Sequence, residues 1–132
     1  MTDLPYGRGG SPLQNLIQRG HRSTMLTALR CGAGLDAGDI FIKQPLSLHG
    51  SAEEIFLRAD GVIGQIIEQI VCEKPAAIPQ QGEPVLFTRR TPAQSNLARC
   101  PEGDLSSWYD QIRMLDAEGY PQAFLEAHGM RL

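Results

Sequence analysis

The chain has 132 residues, with 12 basic against 15 acidic side chains and a formal charge of -3 before histidine is counted. That length suits one domain burying roughly two-thirds of the surface its unfolded chain exposes, and a composition 42% hydrophobic and 20% charged argues against global disorder. Mild acidity weighs against a nonspecific nucleic-acid clamp, and no apolar stretch reaches the ~18 residues of a membrane span.

Residues 1–10 carry Pro5 and three glycines, Gly7, Gly9 and Gly10, and read as a loop. Ser11 offers an N-cap with Pro12 at the first helical position, and Leu13, Leu16 and Ile17 give one apolar face before Gly20. From Thr24 to Cys31 both faces are largely apolar, which predicts a mostly buried strand. Residues 32–39 hold Gly32, Gly34 and Gly38 with Asp36 and Asp39, a tight turn. A second strand runs from Ile40 to Gln44 and continues through Leu46 and Leu48.

Ser51 and Glu54 form a capping box for the longest helix, whose apolar residues repeat at 3 and 4 from Ala52 to Val71. Pro75 disfavours helical geometry at Lys74 and ends it there. Pro75, Pro79, Gly82 and Pro84, with the polar pair Gln80-Gln81, read as a linker between two subdomains. A short strand at 85–88 leaves through a basic loop, Arg89-Arg90-Thr91-Pro92. Asp104 then caps a helix with the face Leu105, Trp108, Tyr109, Ile112 and Leu115, and Ala123 to Glu126 begins a strand.

Cys31, Cys72 and Cys100 form no CxxC pair, so neither a zinc site nor a disulfide framework is expected, and a reducing compartment fits. His21, His49 and His128 are equally scattered, and none stands near a second ligand at a metal spacing. With no apolar signal core at 1–8, the chain reads as cytoplasmic. The glycine-rich run Arg8-Gly9-Gly10 before a helix has two readings, an anion cradle or a structural turn. Asp36 inside its glycine turn reads first as an Asx-turn bonding its own backbone. Arg89-Arg90 is either a solvated pair or a phosphate clamp.

In order along the chain, Leu4-Pro5, Arg8-Gly9-Gly10, Pro12, Gly20, Thr24 and then Gly34-Leu35-Asp36-Ala37-Gly38-Asp39-Ile40 carry a resemblance. With Arg89-Arg90-Thr91-Pro92, Ile112-Arg113-Met114-Leu115-Asp116-Ala117 and Tyr120-Pro121-Gln122-Ala123-Phe124, the sequence resembles the formyltransferase family that includes methionyl-tRNA formyltransferase and the sugar N-formyltransferases. The resemblance implies an α/β fold: the second half of a Rossmann-like formyltransferase domain at residues 1–82, followed by a small incomplete C-terminal subdomain at 83–132. It implies a chain truncated at its N-terminus, because the family motif His-x-x-x-Leu-Pro, with an Asn two residues before the His, would put that His directly ahead of Met1.

The implied chemistry is formyl transfer from 10-formyltetrahydrofolate to an amine. It passes through a tetrahedral intermediate served by the Asn and the His, with an Asp orienting the His. Asp36 matches that Asp and is the expected catalytic residue; Arg8, Gly9, Gly10, Arg89 and Arg90 are the expected substrate-binding residues, and no metal is expected. The C-terminal segments look more like the sugar-modifying branch. The expected acceptor is therefore a nucleotide-linked amino sugar ahead of methionyl-tRNA, with a noncatalytic binding remnant as the other class. Without Asn and His the chain alone is expected to be inactive. A homo-oligomer or an aggregating species is expected from its apolar faces, and no membrane partner is.

Overall fold

The computed structural model describes residues 1–100 and 105–132. Its elements run β1 (Tyr6–Gly9), α1 (Pro12–Gln18), β2 (Ser23–Leu29), β3 (Ile40–Ser47), α2 (Ala52–Glu73), β4 (Val85–Phe87), α3 (Leu105–Arg113), β5 (Glu126–Ala127) and β6 (Met130–Arg131). Two single-turn 3-10 segments, Pro92–Ser95 and Leu97–Arg99, stand between β4 and α3. Helices and strands mix as an α/β fold requires. β1 and β4 pair in parallel, while β2 with β3 and β5 with β6 pair antiparallel.

The core forms where these pieces meet. Leu13, Leu16 and Ile17 of α1 pack with Leu26 of β2, Leu46 and Leu48 of and beyond β3, and Ala52, Ile55, Ala59 and Ile66 of α2. Phe87, Met114 and Leu115 close the same cluster. α2 begins as its sequence dictates: the Ser51 hydroxyl accepts from the Glu54 amide while the Glu54 carboxylate accepts from the Ser51 amide, which satisfies two orphan donors of the first turn. It ends with Lys74 in left-handed geometry, directly before Pro75.

Residues 2–4 strap the hairpin. Thr27 Oγ1 donates to the Thr2 carbonyl at 2.7 Å, and Lys43 Nζ donates to Asp3 Oδ1 and the Leu4 carbonyl, each at 2.6 Å. α3 docks through polar groups. Buried Arg113 donates from Nη1 to the carbonyls of Leu48 and Gly50 and from Nε to Asp110 Oδ1, tying the helix to the loop that opens α2.

Several expectations are corrected. Ser11 is left-handed and makes no side-chain cap; its hydroxyl is occupied by the Arg90 amide instead. In the strand predicted as mostly buried, Leu26 is buried, Thr24, Met25 and Thr27 to Leu29 are half-buried and Ser23 is exposed. The predicted apolar face of α3 divides: Leu105, Tyr109 and Ile112 are exposed, Trp108 is half-buried and Leu115, just past the helix, is buried as expected, while Gln111 and Arg113 are buried instead. The Asp104 cap lies outside the described residues. On α2 the stripe divides, with Ile63, Ile67 and Val71 exposed.

The chain exposes 8292 Å², against about 6,900 Å² for a compact monomer of this mass. The excess is larger than one partner's share of an ordinary interface, about 800 Å². The purified 132-residue chain should therefore sediment above its 14.5 kDa monomer mass and bind a hydrophobic dye. A strictly monomeric boundary with no dye signal would contradict this.

Candidate functional site

Asp36 sits in the turn between β2 and β3, at φ 49°, in the left-handed region. The turn is tight because the chain must double back with Arg30 N donating to the Asp39 carbonyl at 2.8 Å. A side chain at Gly38 would collide with the Arg30 carbonyl, so glycine is required there. The Asp36 carboxylate does not close an Asx-turn on its own backbone: Oδ2 accepts from the amide of Gly9, 2.9 Å away. This is a charge-assisted bond across 27 residues of sequence. Gly9 can present that amide because it adopts φ 115°, with the Phe87 carbonyl where a side chain would lie.

Consecutive residues of one loop serve different partners. Arg8 donates from Nε and Nη2 to Gln80 Oε1, at 3.2 and 2.7 Å. Gly9 holds Asp36, and the Gly10 amide donates to the Phe87 carbonyl at 3.0 Å. Any side chain on Gly10 would meet Arg89. Buried Asn15 fixes this loop from below, its Nδ2 donating to the carbonyls of Gly10, Ser11 and Thr88. The amides of Gly9 and Gly10 are thus spent within the fold.

Gln80 gave no functional signal in the sequence. Its Nε2 donates to the carbonyls of Asp36 and Gly38, each at 2.8 Å. The residue read as part of a linker therefore ties Arg8 to the Asp36 turn. A Gln between prolines is read as spacer because its partners lie 72, 44 and 42 positions away.

Arg89 and Arg90 leave β4 on the other side of the Gly10 contact. They line a recess of about 390 Å³ with Ser11, Gln14, Tyr120 and Pro121. The Arg90 amide donates to Ser11 Oγ at 3.0 Å and its Nη2 to the Gln94 carbonyl at 2.7 Å. Burial lowers the Arg90 guanidinium from its ordinary value, with Cys100 opposing. Arg8, Gly9 and Asp36 are brought together, with Gly10 joining that cluster to Arg89. Among the described residues no group of three or more His, Cys, Asp or Glu could hold a metal ion, and no helix is long and apolar enough to cross a membrane.

The Met1 amine lies in the field of Asp36. Burial lowers its pKa below 8.0, and the Asp36 carboxylate partly opposes this. Because the folded state disfavours the charged ammonium, this group makes folding more favourable as pH rises from the lowered value toward 8.0.

Residues 92–132 match the family model of the methionyl-tRNA formyltransferase C-terminal domain. A methionyl-tRNA formyltransferase from Clostridium thermocellum superposes at TM-score 0.94 with 50% identity, covering 99% of this chain and 57% of that one. A 4-N formyltransferase from Francisella tularensis shares the fold at TM-score 0.77 and 16% identity, covering 99% of this chain and 57% of that one. HypX from Aquifex aeolicus, solved in complex with tetrahydrofolic acid, shares it at TM-score 0.70 and 17% identity, covering 95% of this chain and 22% of that one. The chain belongs to the formyltransferase family. It spans less than half the length of the curated methionyl-tRNA formyltransferases it matches.

The effect of the Asp36 charge on the Met1 amine is directly measurable. Titration of the ¹⁵N-labelled Met1 amine should give a midpoint below 8.0, and Asp36→Asn should lower it further. An unchanged midpoint in Asp36→Asn would separate the two groups.

Proposed function

We propose that the full-length polypeptide carrying this chain transfers a formyl group from 10-formyltetrahydrofolate to the amine of methionyl-tRNA. The observation that carries this reading is the 50% identity to the Clostridium thermocellum methionyl-tRNA formyltransferase along 99% of the chain. The sugar N-formyltransferase likeness is one of fold alone, so we favour methionyl-tRNA as acceptor over the amino sugar expected from the C-terminal segments. A folate donor is supported by the fold shared with HypX, a protein solved with tetrahydrofolic acid.

In this reading residues 1–82 belong to the catalytic domain and 83–132 to the C-terminal subdomain. The donor supplies an activated formyl carbon. Asp36 orients and charges the histidine of the family motif. Gly9 and Gly10 join the Asp36 turn to Arg89, and Arg89 and Arg90 meet phosphate of the acceptor in the recess they line. These two arginines set a local basic patch on a chain whose formal charge is -3.

The test is formyl transfer by the full-length polypeptide with 10-formyltetrahydrofolate, offered methionyl-tRNA and, separately, a nucleotide-linked amino sugar. Formyl-methionyl-tRNA is the expected product. Asp36→Asn should retain the fold and lower kcat by about 100-fold or more, with Asp39→Asn milder because Asp39 stands at the base of the turn and its carbonyl, not its side chain, takes the Arg30 amide. Product from the amino sugar alone would overturn the acceptor assignment, and equal losses at both aspartates would overturn the role of Asp36.

A further inference from the structure

We infer that Gln80 is a positioning residue for Asp36, a role that rests on the formyl-transfer reading above. The side-chain amide uses all of its hydrogen-bonding capacity on the Asp36 cluster. Both Nε2 hydrogens go to carbonyls of the turn that carries Asp36, those of Asp36 itself and of Gly38. Both Oε1 bonds come from Arg8, the residue next to the Gly9 amide that holds the Asp36 carboxylate. One amide therefore grips the two ends of the Gly9–Asp36 bond. Its orientation is fixed by chemistry, since exchanging O and N would set two carbonyls against an oxygen and a guanidinium against an amino group.

The turn needs this grip. Asp36 occupies left-handed geometry, which aspartate tolerates better than most side chains but which is still less favoured than extended or helical backbone. The base of the turn is closed by the Arg30–Asp39 backbone bond, but nearer Asp36 the bond from Ala37 N to the Gly34 carbonyl is long at 3.4 Å. Gln80 comes from outside the hairpin, carried by the segment where Ile78 and Ile40 exchange backbone bonds at 2.8 and 2.9 Å. The segment after α2 is thereby anchored to β3 and delivers the amide at a fixed height. Without Gln80 the Asp36 and Gly38 carbonyls turn to solvent, Arg8 swings free, and the carboxylate spends less time on Gly9.

Two variants of the full-length polypeptide test the role. Gln80→Ala removes both grips. Gln80→Glu keeps the acceptor for Arg8 but sets a carboxylate without hydrogens against two carbonyls, so it isolates the contact to the Asp36 turn and preserves the side chain's size. Both should lower kcat about 10- to 100-fold, with the donor KM within about threefold. In an Asp36→Asn background neither should cost anything further, because a residue acting through Asp36 cannot act once that carboxylate is gone. A purely structural role would give additive losses. On the 132-residue chain, the Gly9 amide should exchange at least about tenfold faster in either variant.

Wild-type kcat together with an unchanged Gly9 amide in Gln80→Glu overturns the inference while leaving the proposed function standing. Additive losses with Asp36→Asn overturn it as well. If the wild-type polypeptide forms no formylated product, the functional reading fails alone. The Gly9 amide then decides the positioning claim, faster exchange upholding it and unchanged exchange overturning it.

Discussion

The bond between the Gly9 amide and the Asp36 carboxylate is the constraint on which the candidate site depends. It joins the end of a parallel strand to the turn of an antiparallel hairpin, two units that share no backbone ladder. Gly9 can donate only because it lies at positive φ against the Phe87 carbonyl, so the geometry of β1 beside β4 is part of the aspartate's environment. Charge assistance makes this bond stronger than a neutral one. Gln80 then secures both partners from a third segment.

The helices supply the rigidity behind this arrangement. α1 is buried along Leu13, Leu16 and Ile17 and sends Gln14 to the Met114 carbonyl at 3.1 Å, while Asn15 pins the Gly10–Ser11 loop. The same short helix thus links the C-terminal segment to the loop beside Asp36. Arg113 provides a second link, to the loop between β3 and α2. The recess lined by Arg89, Arg90 and Tyr120 takes Gln14 of α1 into its wall.

Local physics made much of the framework legible. The Ser51–Glu54 box, the Pro75 stop and the glycine turn act over a few residues, and each appears where the sequence puts it. Asp36 was legible as a candidate through its glycine frame and the family resemblance, but its partner Gly9 was not, since nothing within the turn specifies an amide 27 residues upstream. Ser11 lost its expected cap because a tertiary partner, the Arg90 amide, claimed the hydroxyl. The face of α3 was misread in part for a related reason: periodicity assigns apolar residues inward, and Leu115 does go in, but Arg113 and Gln111 are buried because they donate to the carbonyls of Leu48 and Gln94. Gln80 illustrates the limit most clearly, a polar residue between prolines whose importance lies wholly in long-range contacts.

The central claim is that the Asp36 carboxylate is held by the Gly9 amide in the folded chain. Scalar coupling through a hydrogen bond measures this directly on a ¹³C,¹⁵N-labelled sample. A correlation from the Gly9 amide nitrogen to the Asp36 side-chain carboxyl carbon is the predicted result. Its absence, in a spectrum where the couplings across the β2–β3 ladder are resolved, would contradict the account.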